Sequence, residues 1–146
     1  FSLCRYKTLN PMNNSALIKL YFLLIHADGE VSEREKTFGL KMVKTENMNE
    51  TDFQREIELL KKRSASVIFD ESIEELKRLN RTQQVRCMAW LCLCANADGF
   101  MDKTEWQLIY KVYHTILGLN QDEIMKAQKE LNQLLAAKSL SMIGVL

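Results

Sequence analysis

Nearly every position from residue 16 to residue 27 is apolar, and only Lys19 and His26 interrupt the run. A helix with hardly any polar face belongs at the centre of a bundle, and Pro11 with Asn13, Asn14 and Ser15 punctuates the chain before it as caps. Asp28 and Gly29 turn the chain into a second helix over 33–44. Asn49 caps a third through 62, in which Phe53, Ile57 and Leu60 share one face while Arg55, Glu58, Lys61 and Lys62 take the other. Ser64, Ala65 and Ser66 break that pattern, and a short helix follows with Ile73, Leu76 and Leu79 directed inward. Residues 80–82 start a fifth helix, over 83–97, that repeats the first in character: Cys87, Met88, Trp90, Leu91, Leu93 and Cys94 leave almost no polar face. Asp98 and Gly99 lead into a sixth over 103–117, and Gly118 with Asn120 ends that helix and caps a seventh through 137.

The fold class expected is therefore all-α, with about seven helices in one domain over 14–137. One proline, five glycines and few β-branched runs agree with this. A chain of 146 residues is long enough to bury a sizeable core without staples. Residues 1–13 read as an N-terminal segment, incomplete or partly foreign, since the sequence begins at Phe1 rather than Met. Leu140, Met142, Ile143, Val145 and Leu146 make 138–146 an apolar tail that either folds back over the core, the preferred reading, or meets another chain.

The two apolar helices end alike. Shifting the chain by 70 residues places Leu23, Ala27, Asp28, Gly29, Glu35 and Lys41 on Leu93, Ala97, Asp98, Gly99, Glu105 and Lys111. One extra residue later, the cap Asn49 falls on Asn120. Such a pairing predicts two pseudo-repeats of helix, Ala-Asp-Gly turn and helix, packed through the two central apolar helices. Each glycine stands where a helix stops and the chain turns sharply. Val31 and Met101 are placed to act as hydrophobic staples, and Ser32 with Glu35, like Asp102 with Glu105, has the spacing of a capping box. Asp28 and Asp98 fit this structural account less well, because an aspartate at a helix carboxyl end meets the negative pole of the macrodipole. Turn amides or a bound cation are the two ways to offset that.

Charge and chemistry narrow the function. A formal net charge of +1 disfavours a nucleic-acid partner. Lys61, Lys62 and Arg63 close a helix, where cations suit the macrodipole, and Arg78, Arg81 and Arg86 lack interleaved aromatics. No stretch is long enough to insert in a membrane, the best candidate being the first helix. Cys4, Cys87, Cys92 and Cys94 have neither the spacing of a zinc site nor that of a redox pair, and are expected as buried thiols in a reducing, cytoplasmic setting. The two histidines, His26 and His114, accompany no nucleophile, phosphate loop or metalloprotease pattern, so no enzyme activity is expected.

The motif segments His26-Ala27-Asp28-Gly29-Glu30-Val31-Ser32-Glu33-Arg34-Glu35 and Asn96-Ala97-Asp98-Gly99-Phe100-Met101-Asp102-Lys103-Thr104-Glu105 resemble the tellurite-resistance TerB family and its relatives. So does Leu117-Gly118-Leu119-Asn120-Gln121-Asp122-Glu123, and the resemblance covers about Asn14 to Leu135. It implies a compact seven-helix domain, association with stress-response and tellurite-resistance systems, and divalent-cation binding through the acidic motif residues Asp28, Glu35, Asp98 and Glu105. A similar domain precedes the J domain in some membrane-anchored DnaJ-like co-chaperones, but this chain carries neither an anchor nor a His-Pro-Asp motif.

An EF-hand reading of the turns fails. With Gly99 at loop position six, Asn96, Asp98, Asp102 and Glu105 fall on liganding positions, but Cys94 occupies the first; in the other copy Leu24 and His26 stand where oxygen ligands belong. Asp102 still joins the candidate set, which makes the second turn the richer one, since Ser32 replaces an acid in the first. The leading expectation is thus a module for association with another protein in a stress response, holding a calcium or magnesium ion at its acidic turns. The alternative is a purely structural scaffold whose acids only hold the hairpins together.

Overall fold

A computed structural model of the chain describes residues 11–27, 29, 31–97 and 102–142, without the side chains of 11–13 and 138–142. Among the described residues seven α-helices follow one another: α1 Pro11–Ile25, α2 Glu33–Thr45, α3 Glu50–Leu60, α4 Ala65–Lys77, α5 Arg81–Ala95, α6 Lys103–Tyr110 and α7 Gln121–Met142. A π-helical segment, Lys111–Ile116, continues α6. The described residues contain no strand.

The two apolar helices occupy the centre. In α1, Ala16, Leu17, Leu20 and Leu24 have no exposed surface, and in α5 the same holds for Cys87, Met88, Ala89 and Trp90. These helices touch each other; α1 also lies along α3, α4 and α6, and α5 along α2, α6 and α7. Trp90 rests edge-on against Phe38 and donates its indole N–H to Glu46 at 2.6 Å, so the largest core side chain keeps its polar atom satisfied.

Several boundaries differ from the sequence expectation for local reasons. Helix α1 starts at Pro11, whose fixed φ suits a first helical turn, so Asn13, Asn14 and Ser15 lie inside the helix instead of capping it. Ser64, expected as part of a break, is the cap of α4 and accepts from the Val67 amide. Asn80 and Gln83 form a capping box at the start of α5. Helix α7 runs past the expected end at residue 137 to Met142; the final residues, 143–146, and Cys4 lie outside the described residues, so neither the fate of the tail nor that thiol is described.

The sixth helix is irregular at its end. Its regular winding stops at Tyr110, and the Leu117 amide reaches back to the Val112 carbonyl, the spacing of a π-helix. A π-turn takes up one more residue than an α-turn, and it falls where the second motif carries its extra residue before the Asn120 cap. Gly118 then takes φ of +63°, and the Asn120 Oδ1 accepts from the Asp122 amide to open α7.

Lys19 and Glu46 are both packed inside. Lys19, only 5% exposed on the central helix, donates to Glu75 of α4 at 2.6 Å and to the Ser15 hydroxyl at 2.9 Å. Glu46, fully buried after α2, accepts from Arg86 of α5 at 2.5 Å. Lone buried charges would be prohibitive, so these pairs fix how α4 and α2 dock on the centre.

Candidate functional site

The capping boxes expected from the sequence are both formed, and they set the geometry of the acidic motif. At the start of α2, the Glu35 amide donates to Ser32 Oγ at 3.0 Å while the Ser32 amide donates to Glu35 Oε1 at 3.1 Å. At the start of α6, Asp102 Oδ1 accepts from the Thr104 and Glu105 amides at 2.6 and 3.1 Å, and the Asp102 amide donates to Glu105 Oε1 at 3.4 Å. Each glutamate is thereby turned back along its own helix and loses freedom to reach solvent. Both are 5% exposed.

The structure brings these two glutamates together. The Glu105 carboxyl lies against the Glu35 side chain, so the first turns of α2 and α6, separate in the sequence, supply one paired site. Burial first, then the hydrogen bond and negative charge of Glu35, push the Glu105 carboxyl up to about 8. With one oxygen of each carboxylate taken by a cap amide, the other is left for the opposing acid. A protonated Glu105 donating to Glu35 satisfies both; two bare carboxylates there would repel.

Tyr21 supports the pair from beneath. Its hydroxyl donates to the Glu35 carbonyl at 3.1 Å, and burial, then Cys94 and Glu35, raise its pKa. The approach is close because Gly39 has no side chain: a Cβ there would lie 2.2 Å from the Tyr21 hydroxyl oxygen. Neither residue was singled out in the sequence, although a lone glycine inside a helical pattern is a sign of close approach. Glu46, the other buried acid, gave no sequence signal at all.

Of the five residues expected to ligate a cation, Glu35 and Glu105 converge and Asp102 caps α6 beside them, while Asp28 and Asp98 lie outside the described residues. Among the described residues, no three His, Cys, Asp or Glu side chains are grouped to hold a metal ion. Any such cage therefore needs at least one acid from outside the described residues. The histidines stand apart from it: His26 Nδ1 lies 2.8 Å from the Phe22 carbonyl oxygen, and exposed His114 stacks on Tyr110. Cys87 and Cys92 are buried thiols, both pushed up to about 12 by desolvation. Three basic residues of the sequence clusters are held in ion pairs, Arg81 with Glu123, Arg63 with Glu71 and Arg86 with Glu46.

A helical domain in which the first turns of α2 and α6 each send a glutamate into a shared buried pair is a narrow description. The chain matches the family model described as tellurite resistance protein TerB over residues 14–129, and it belongs to that family. No curated protein and no solved structure matches it. No described helix is long and apolar enough to cross a membrane.

Proposed function

We propose that this TerB-family chain is a non-enzymatic, cytoplasmic stress-response module that associates with another protein, and that it binds one calcium or magnesium ion where its two acidic turns meet. The observation that carries the cation reading is the Glu35–Glu105 pair. Two buried carboxylates side by side are tolerated by holding a proton between them, and a divalent cation performs the same neutralisation with twice the charge. Glu35 and Glu105 would each offer the oxygen not used by the cap amide. Asp28, Asp98 and Asp102 would complete an all-oxygen set, the chemistry calcium and magnesium prefer. The bound ion would fix the angle between the α1–α2 and α5–α6 hairpins, and so the surface offered to a partner.

Thermal melting of wild type and Asp98→Asn, each with millimolar calcium, with magnesium and with chelator, tests this. The wild type gains roughly 2.7 kcal/mol at a hundredfold excess over the dissociation constant. The variant gains nothing, because an amide oxygen can still accept from turn amides but supplies no charge. Wild-type curves that coincide with and without metal would leave the acids a capping role alone, the purely structural reading that the two complete capping boxes favour.

A further inference from the structure

A concavity lies near the start of α1, between that helix, α3 and the connection from α2, and encloses about 340 Å³. One wall is apolar, formed by Ile18, Met48 and Phe53; Asp52 and Glu56 make it acidic, and no basic side chain among the described residues lines it. Asp52 is shared with exposed Arg55 at 3.0 Å, whereas Glu56 has no ion pair among the described residues. Asn14 also lines the cavity. It is 9% exposed, and its Oδ1 is buried without a hydrogen-bond partner among the described residues. A buried acceptor left unpaired is costly, and such a group beside a cavity marks a place for a donor.

We infer that this cavity binds an organic ammonium or guanidinium head carried on a short aliphatic stem. The head donates to Asn14 Oδ1 and to the carboxylates of Asp52 and Glu56, and the stem lies on Ile18, Met48 and Phe53. An anion is disfavoured. The amino end of α3 is already satisfied by Asn49, whose Oδ1 accepts from the Asp52 amide at 2.9 Å, and two full negative charges outweigh what remains of the helix dipole. The volume sits at the small end of ligand sites, enough for a cationic head and a few carbons. The same head reaches the cavity from a free aliphatic amine or from a lysine or arginine side chain of a partner.

NMR titration of the full chain with n-butylammonium, with n-pentanoate, and with a blocked tripeptide carrying a central lysine tests the assignment. Butylammonium should shift the Asn14 amide and the Ile18 and Met48 methyl signals saturably, and pentanoate should not. Asp52→Asn and Glu56→Gln, both outside the core, should each weaken butylammonium binding roughly tenfold. Tighter binding of the peptide assigns the head to a partner's side chain, tighter binding of the free amine to a small metabolite, and either ranking supports the site. Equal shifts with pentanoate, no saturable shift with butylammonium, or unchanged affinity in both carboxylate variants overturns it.

Discussion

Replacing Glu105 with glutamine separates the proton from the fold. The wild-type carboxyl has an ordinary value of 4.5 and stands at about 8 in the folded chain, so the folded state keeps a proton that the unfolded state gives up. Below about pH 4.5 both states are protonated and the favourable Glu105–Glu35 hydrogen bond is fully present. As pH rises towards 8 the unfolded chain binds fewer protons than the folded one, and stability falls. Each pH unit is worth about 1.4 kcal/mol, which sets a ceiling near 5 kcal/mol. Solvent screening at the turns and relaxation of the pair reduce this to an expected decline of about 2 kcal/mol. Glutamine keeps the capping box, accepting from the Asp102 amide, and its amide group still donates to Glu35. Urea unfolding of wild type and Glu105→Gln in metal-free buffer between pH 5 and 8.5 reads the difference directly. The variant should lack the decline and exceed the wild type by about 2 kcal/mol at the alkaline end. The hydrogen bonds of Arg63 to Glu71 and of Arg81 to Glu123 hold those two carboxyls below their ordinary range, so they titrate outside this window. Parallel profiles for variant and wild type would refute the shared-proton account.

Gly39→Ala drives a methyl group against the Tyr21 hydroxyl and should destabilise the domain by roughly 1–3 kcal/mol, read by denaturant midpoint; a neutral result would mean that α1 and α2 are not in close approach there. Lys19→Met leaves the half-buried Glu75 without its partner and should cost about 3 kcal/mol, whereas Lys19→Met with Glu75→Leu should recover most of it, so a double variant no better than the single would contradict the pairing.

The layout of helices was readable from the sequence because long runs either lack a polar face, as around Leu20 and Trp90, or keep one at strict spacing, as around Ile57. Caps were readable where the short polar residue stands alone, as at Asn49, and were misjudged where several cluster: Asn13 to Ser15 looked like a cap, yet Pro11 begins the helix upstream. The capping roles of Glu35 and Glu105 followed from local spacing. Their meeting did not, since it depends on how α1 crosses α5 and carries the two hairpins face to face, which no local pattern encodes. Lys19 looked like an interruption of an apolar run and is instead half of a buried pair whose partner stands on another helix. The winding of Lys111–Ile116 left only an indirect trace, the one-residue slip between the motif alignment and the cap alignment.

The claim that the two acidic turns form a single cation site is tested most directly by calorimetric titration of the wild-type chain with calcium at pH 7. One ion per chain is expected, bound with release of a proton from the Glu35–Glu105 pair and with affinity that rises up to about tenfold per pH unit below pH 8. Two independent ions per chain, or no binding heat in buffers of different ionisation enthalpy, would contradict it.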